Sequence, residues 1–293
     1  MTSLMSAWVD RVRRRLGWKQ RLGERLSRIH QQFLDLSLYH WSTQNQRSAV
    51  NPLNAFGRKC YSQADEDGIT LEILRRIDCL GPGVFAEFGV GDGTENNTLV
   101  LAAMGWKGFW VGGSEIRPRI DSTNQRFSFI KNWITLENIV ALAEEGLKAV
   151  QGTQLDVLSL DLDGNDRYFI DALLIGGIRP KLFIAEYNAK FPPPVRFCIA
   201  YDAQHRWRED DYFGASLSSL NDLFVERGYR LVCCNAWTGV NAFFVDKAYS
   251  DRFADIPRDV ADLYMAPTYW VMGRFGHKVS LRTVERVLNH VES

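Results

Sequence analysis

Residues 83–93 read GVFAEFGVGDG, an apolar run that ends in a turn with a glycine at every second position. The apolar run predicts a buried strand. Gly89, Gly91 and Gly93 remove side chains where the backbone must turn tightly or approach a ligand. Their spacing is G-x-G-x-G, not the dinucleotide-binding G-x-G-x-x-G, and Glu87 precedes the first glycine by two residues. We interpret the stretch as the first strand of a sheet and a ligand-binding turn.

The chain on either side of this turn alternates between strand and helix patterns. Two apolar runs near its end, separated by a short turn, predict an antiparallel hairpin. Strand–helix alternation that closes in a hairpin predicts an α/β sandwich on a mostly parallel sheet, with ligands at the carboxyl ends of the strands. The predicted strands are 83–88, 108–112, 126–130, 156–162, 181–186, 229–234 and 241–245, and the predicted helices are 94–104, 135–150 (N-cap Thr135), 166–175 and 216–227.

Three carboxylates follow the fourth predicted strand, in the stretch SLDLDGND at 159–166. Ionised carboxylates in a buried strand cost several kcal/mol unless they are paired or bind a cation. Asp161 and Asp163 share a face while the chain stays extended, so both could bind one cation. Two other interpretations stay open: Asp163 could cap the turn, and Asp161 could act without metal. Asp166 is expected to be the N-cap of the next helix.

The fifth predicted strand ends in EYN, with Glu186 and Asn188 as oxygen-bearing residues. Neighbouring parallel strands bring their carboxyl ends to the same edge of a sheet. Asp161, Asp163, Glu186 and Asn188 would then form a cluster of hard oxygen ligands suited to Mg²⁺ or Mn²⁺.

Several motifs in this order resemble FkbM-type methyltransferases, which have the class I S-adenosylmethionine-dependent fold. The resemblance covers about residues 58–247 and implies a Rossmann-like sandwich with a seven-stranded sheet. The motifs are YSQADEDG at 61–68, EFGVGDGTENN at 87–97, DLDGND at 161–166, EYN at 186–188, YFGAS at 212–216 and GVNAFFV at 239–245.

The resemblance implies S-adenosylmethionine as the cofactor. Glu87 would anchor its methionine amino group, and the glycines would let the backbone pass beneath it. In one respect the sequence departs from the fold's pattern: Gly112 stands where an acid usually holds the ribose hydroxyls, so Ser114 or Glu115 is expected to serve instead. The implied cofactor-binding residues are Gln63, Glu87, Gly89, Gly91, Gly93, Asn97, Ser114, Glu115 and Asp161.

The implied activity is O-methylation of a hydroxyl on a sugar, nucleotide-sugar or glycan. A divalent ion could lower the pKa of the acceptor hydroxyl, and Asp161 or His205 could remove its proton. His205 could equally be a solvated loop residue. Aromatic residues and arginines between 189 and 214 fit either a sugar site or an ordinary packed cover. Two other functions stay open: a metal-dependent glycosyltransferase using Asp161-x-Asp163, and a scaffold that has lost activity.

The chain divides into a basic helical arm (1–50), the methyltransferase domain (51–247) and a C-terminal extension packed on the core (248–293). Residues 1–30 carry a net charge of +6, and the whole chain is neutral, which gives no indication of nucleic-acid binding. The arm could pack on its own domain, form a homo-oligomer, or bind an anionic membrane surface through residues 1–45. Gly17 and Gly23 are expected to interrupt its helix.

Five cysteines without a C-x-x-C spacing predict a reducing compartment, with neither disulfides nor a zinc site. The sequence contains no apolar run of transmembrane length and no secretory signal pattern. We therefore expect a cytoplasmic protein, in peripheral contact with the inner membrane surface if the arm binds lipid.

Overall fold

The computed structural model describes residues 2–120 and 125–268. One seven-stranded sheet has the order β3-β2-β1-β4-β5-β7-β6. Strands β1 to β5 pair in parallel, and β7 lies antiparallel to both β5 and β6. The strands are β1 (Val84–Phe88), β2 (Lys107–Gly112), β3 (Phe127–Lys131), β4 (Val157–Leu160), β5 (Leu182–Glu186), β6 (Tyr229–Cys234) and β7 (Asn241–Asp246).

This topology confirms the predicted fold class, the Rossmann-like sandwich of class I methyltransferases with its C-terminal hairpin. The chain builds outward from β1 in one direction to β3 and then returns to add β4 on the other side. A crevice opens where the strand order reverses, outside the carboxyl ends of β1 and β4. The helices are α1 (Thr2–Ser48), α2 (Glu66–Arg76), α3 (Leu99–Ala103), α4 (Ile139–Ala149), α5 (Asp166–Ile175), α6 (Leu217–Glu226) and α7 (Val260–Leu263), with 3₁₀ turns at Pro52–Phe56 and Lys247–Phe253.

The central strands are apolar on both faces because helices cover both sides of the sheet. Phe85, Val157 and Phe183 are fully buried, as are the stacked rings of Phe224 and Phe244. This core holds β1, β4 and β5 in register, so their carboxyl ends lie side by side at the edge of the sheet that carries the candidate site.

The predicted helix at 94–104 is wrong in its first half, because α3 begins only at Leu99. Glu87 accepts hydrogen bonds from the backbone N–H of Asn97 and of Thr98, each at 3.0 Å. The Thr98 hydroxyl also donates to Glu87, at 2.6 Å. Because the Glu87 carboxylate satisfies these N–H groups at the start of α3, residues 94–98 form an irregular turn and not the first turn of the helix.

The predicted N-cap at Thr135 is also wrong. Helix α4 begins at Ile139 with Asn138 in the capping position, and Asn138 Oδ1 accepts the Thr135 N–H at 2.8 Å. The side chain of Asn138 thus closes the turn ahead of the helix, a local alternative to helical bonding that asparagine often provides.

Strand β4 ends at Leu160, two residues earlier than predicted. Asp163 has a φ of +52°, so the chain has left the extended conformation there. Asp166 accepts the N–H groups of Leu162 and Gly164, both at 2.8 Å. Asp166 is therefore the first residue of α5, not its N-cap, and its carboxylate closes the turn that presents Asp161 and Asp163.

The N-terminal arm is one 47-residue helix, continuous through Gly17 and Gly23, so the expected interruption is wrong. The last turns of α1 contact the domain: Asn45 Nδ2 donates to the Ala236 carbonyl at 3.3 Å and Gln46 Nε2 to the Asn54 carbonyl at 2.6 Å. Within the described ranges no helix is long and apolar enough to cross a membrane.

Residues 248–268 of the C-terminal extension pack on the core. Phe253, Ile256 and Leu263 are buried there, and the Tyr264 hydroxyl donates to the Ala189 carbonyl at 2.6 Å. Residues 269–293 of that predicted segment lie outside the described residues, so the domain division remains a prediction.

Candidate functional site

A cavity of about 520 Å³ lies at the carboxyl ends of β1 and β4. That volume is within the range of small-molecule and cofactor sites. Six of its fifteen lining residues are carboxylates, and among these described residues none is Lys or Arg. The lining consists of Gln63, Glu87, Gly89, Val90, Gly91, Asp92, Thr94, Glu95, Asn96, Asn97, Asp161, Leu162, Asp163, Glu186 and Asn241.

The three glycines of the turn have different roles. All have positive φ, which glycine adopts readily. A Cβ on Gly89 would lie 1.6 Å from the Asp161 carbonyl oxygen, so this glycine permits the close approach of the turn to the end of β4. A Cβ on Gly91 would meet nothing within 4 Å, which leaves open space at the cavity wall. Gly93 does not line the cavity; it faces Pro118 and Ile116 on another surface.

Glu87 is buried at the floor of the cavity, and burial raises the pKa of its carboxyl group above the ordinary value. Hydrogen bonds from Thr98 and Asn97 act in the opposite direction. Asn97 also donates to the Ser159 hydroxyl at 3.1 Å, which links the turn to β4. Gln63, from the loop before α2, lines the cavity as well. Three predicted cofactor residues, Gln63, Glu87 and Asn97, therefore meet at one cavity.

Asp161, Asp163 and Glu186 form a carboxylate cluster at the ends of β4 and β5. One oxygen from each lies within 4.8 Å of the other two. Burial, then the charges of Asp163 and Asp166, raise the pKa of Asp161 well above its ordinary value. Burial and the Asp161 charge do the same for Glu186. In the described part of the chain no ion pair involves the three carboxylates, so the fold itself supplies no cation to neutralise the cluster.

Two buried acceptors at the cavity have no hydrogen-bond partner: Glu186 Oε2 and Asn241 Oδ1. Asn241 is 4% exposed and lies opposite Glu186 in the β5–β7 register. Its Nδ2 donates to Glu66 Oε1 at 3.1 Å, which fixes the orientation of the amide. Buried acceptors are normally paired, so these two oxygens are available to a ligand in the cavity. Sequence reasoning missed Asn241, although it lies in a motif and follows the turn of the predicted hairpin.

The structure does not bring Asn188 into the cluster. Its Nδ2 donates to the carbonyls of Asp211 and Phe213, at 2.9 and 3.1 Å, and its Oδ1 accepts the Lys190 N–H at 3.3 Å. The prediction was wrong because β5 ends at Glu186, and strand alternation no longer applies two residues later. Asn188 instead holds the following loop together.

His205 does not line the cavity either. It is 8% exposed, and a Cβ on Gly164 would lie 2.4 Å from its Cδ2 atom. Its ring is also 6.2 Å from that of Tyr212, measured between centroids. The solvated-loop interpretation is therefore wrong, because His205 is packed against the turn that follows β4, and its role as a base stays a prediction.

The ribose end of the predicted cofactor site is unusual. A Cβ on Gly112 would lie 3.0 Å from Cγ2 of Val90, a residue of the glycine turn. Val90 thus takes the space beside Gly112, which gives a steric reason for the missing acid. Ser114 and Glu115 do not line the cavity, and exposed Glu115 pairs with Lys131 at 2.6 Å. The structure does not bring these two to the site.

The strand order defines a class I methyltransferase-like sandwich, and a cavity rich in carboxylates lies at the carboxyl ends of β1 and β4. No protein-family model matches the chain, and no curated protein sequence matches it. Among solved structures, a protein provisionally described as a hemolysin from Streptococcus thermophilus matches with a TM-score of 0.41 and 11% identity, over 65% of this chain and 69% of that one.

Two methyltransferase structures are also similar. Human N-acetylserotonin methyltransferase in complex with S-adenosylmethionine has a TM-score of 0.36 and 10% identity, over 60% of this chain and half of the human one. A protein provisionally described as a caffeoyl-CoA O-methyltransferase from Staphylococcus aureus has a TM-score of 0.37 and 12% identity, over 72% of this chain and 99% of that one. At these scores the similarities carry no functional argument, and the fold class rests on the observed strand order.

Proposed function

We propose that this protein is an FkbM-type S-adenosylmethionine-dependent O-methyltransferase, assisted by Mg²⁺ or Mn²⁺, that acts on a hydroxyl of a sugar, nucleotide-sugar or glycan. The observation that carries the proposal is the acidic cavity at the strand-order reversal, with three clustered carboxylates and no basic residue among its described lining. Such a wall favours cationic ligands and repels uncompensated anions.

The cavity fits the proposed cofactor in charge and in space. S-adenosylmethionine, when bound, supplies a methyl group on a positively charged sulfonium. Glu87 offers a buried carboxylate for its ammonium group, and the open space at Gly91 lets a ligand approach the backbone of the turn. The wall thus complements both positive charges of the cofactor.

The cluster also fits a divalent metal ion. Asp161, Asp163 and Glu186 offer carboxylate oxygens, and Asn241 Oδ1, in place of Asn188, offers a neutral one. Hard oxygen ligands of this kind suit Mg²⁺ and Mn²⁺. Such an ion, when bound, lowers the pKa of an acceptor hydroxyl. Asp161, held at the end of β4, can take the hydroxyl proton on a carboxylate oxygen that does not bind the ion.

The loop at 189–214 is proposed to cover the acceptor. It is tied to the end of β4 by hydrogen bonds from Asn165 Nδ2 to the Asp202 carbonyl, at 2.8 Å, and from the Gly214 N–H to the Gly164 carbonyl, at 2.9 Å. Most of its aromatic rings are buried against one another, but Trp207 is 37% exposed and nearby Trp133 is 44% exposed. Exposed aromatic faces beside arginines suit a sugar ring.

Titration calorimetry on metal-stripped, full-length protein tests the proposal. S-adenosylmethionine should bind, and Mn²⁺ should bind at one site. The Asp163→Asn variant should lower the Mn²⁺ affinity at least about 100-fold, because a charged oxygen ligand is replaced by a neutral one. The matched control is Glu95→Gln, which removes an exposed carboxylate from the same cavity and should change the Mn²⁺ affinity less than about threefold.

The outcomes separate the alternatives. Absence of S-adenosylmethionine binding with and without Mn²⁺ would overturn the methyltransferase proposal. Mn²⁺-dependent binding of a nucleoside-diphosphate sugar in the same titration, with no cofactor binding, would favour the glycosyltransferase. Binding of S-adenosylmethionine without any Mn²⁺ binding would support the methyltransferase proposal and overturn the proposed role of the metal.

A further inference from the structure

The long helix α1 carries an exposed apolar stripe that the proposed reaction does not use. The exposed fractions of its side chains run from 40% at Leu22 to 66% at Phe33. Their spacing of three or four residues places them on one side of the helix. The stripe consists of Trp18, Leu22, Leu26, Ile29, Phe33 and Leu36.

We propose that this stripe binds the surface of a bilayer containing anionic phospholipids, with α1 lying in the plane of the interface. From Trp18 to Leu36 the stripe is about 27 Å long, at about 1.5 Å per residue. Bulky apolar residues including Trp, beside basic residues, are typical of interfacial helices.

The charges around the stripe favour an anionic partner. At about 100° per residue, Arg25 lies at the edge of the stripe, and Arg21 and Arg28 lie further round on the same side. Glu24, the acidic residue among the described side chains of α1, lies roughly 150° from the centre of the stripe. The arginines therefore lie along one flank of the stripe, at roughly 50° (Arg25), 90° (Arg21) and 115° (Arg28) from its centre, where long side chains can reach lipid headgroups, and Glu24 points away from the bilayer.

The same charges argue against a second copy of the chain as the occupant. A coiled coil pairs acidic with basic residues beside its apolar seam. Here the described residues that flank the seam between Leu22 and Leu36 include Arg25, Gln32, His30 and Ser37, with no acid among them. Two such helices would bring arginine flanks together without compensation.

The described middle of the helix has no tertiary packing of its own. Residues 21–33 are all exposed, and the described contacts with the domain come from the last turns of α1. A helix without tertiary packing is marginal in water, so a surface that buries the stripe would stabilise it.

Vesicle flotation with the full-length protein tests the proposal, using phosphatidylcholine vesicles with and without a quarter phosphatidylglycerol. The wild type should partition at least about tenfold more strongly onto the anionic vesicles. The Ile29→Glu/Phe33→Glu variant should lose binding to both. Replacing Arg21, Arg25 and Arg28 by Gln should reduce the anionic preference by about tenfold or more.

The matched control is Ile175→Glu/Val225→Glu, which introduces the same charge at two residues of the domain that are 67% and 59% exposed. It should bind anionic vesicles like the wild type, and all variants should keep the thermal unfolding midpoint of the wild type. Failure of the wild type to bind anionic vesicles would overturn the proposal. A stable dimer in light scattering that the Ile29→Glu/Phe33→Glu variant loses, without vesicle binding, would assign the stripe to a second copy.

Discussion

Carboxylates lie near both ends of β4, and the one at the carboxyl end of β5 joins those at the carboxyl end of β4; the two edges of the sheet treat these acids differently. At the amino end, just before β4, Asp156 is 2.7 Å from Lys181 Nζ and accepts the Val84 N–H at 2.9 Å. At the carboxyl end, the cluster of Asp161, Asp163 and Glu186 has no cationic partner among the described residues.

The difference separates an acid that the fold neutralises from acids that it leaves without a cationic partner among the described residues. The fold neutralises Asp156 internally, so its charge is an element of stability. The fold leaves the cluster of Asp161, Asp163 and Glu186 either charged or protonated. Either state lowers the free energy of unfolding, and a bound cation would raise it again. Stored destabilisation of this kind is typical of functional sites.

The largest expected effect concerns the backbone that holds the carboxyl end together. Gly89→Ala should lower the free energy of unfolding by about 4 kcal/mol or more, because the new Cβ would overlap the Asp161 carbonyl. Gly91→Ala should cost only about 1 kcal/mol, since its Cβ meets no atom. Urea unfolding at equilibrium measures both. Equal losses for the two variants would mean that the close approach at Gly89 is not a structural requirement.

The next effect contrasts the two ends directly. In the metal-free protein, Asp161→Asn should raise the free energy of unfolding by about 1 kcal/mol, because it relieves like-charge repulsion. In a separate titration, the same variant should bind Mn²⁺ at least about 100-fold more weakly than the wild type. Asp156→Asn should do the opposite: it should lower stability by about 1 to 2 kcal/mol and leave Mn²⁺ affinity within about twofold. Urea unfolding and calorimetry on both variants make the comparison. Destabilisation by Asp161→Asn in the metal-free protein would show that this carboxylate is structural too.

The last comparison concerns the pH dependence of stability and a third acid, Asp65. It accepts the N–H groups of Ala236 and Trp237, at 3.0 and 3.1 Å, yet burial and then the Glu66 charge raise its pKa to about 7. An acid with a raised folded pKa contributes stability below its unfolded pKa, and this contribution is lost as the pH rises to about 7.

Wild-type unfolding free energy should therefore fall by about 2 kcal/mol more than that of Asp65→Asn between pH 5 and pH 8. Urea unfolding at the two pH values measures the difference, with Asp251→Asn at an exposed position as the control. Parallel pH profiles for the wild type and Asp65→Asn would refute the raised pKa.

Much of the fold could be predicted from the sequence, because apolar runs and glycine turns are local signals. The seven strands and the closing hairpin were confirmed with small shifts of their ends. The errors fell where a distant side chain determines the local structure. Glu87 delays the start of α3, and Asp166 ends β4 early by closing a turn.

The candidate site was partly predictable for the same reason. Glu87, Asp161, Asp163 and Glu186 follow strands whose ends a parallel sheet must bring together, so their proximity is a consequence of sequence order. The predicted position of Asn188 in the cluster was not found because β5 ends two residues earlier, at Glu186. Asn241 was missed because only the pairing of β7 with β5 places it opposite Glu186.

The sequence by itself thus determined where the strands lie, the glycine turn and the acids that follow two of the strands, because each depends on residues close together in the chain. Tertiary structure alone decided that Val90 fills the space beside Gly112, that Lys181 neutralises Asp156, and that Asn241 presents an unpaired oxygen to the cavity. These depend on contacts between residues far apart in the chain, where packing distance rather than local pattern fixes the outcome.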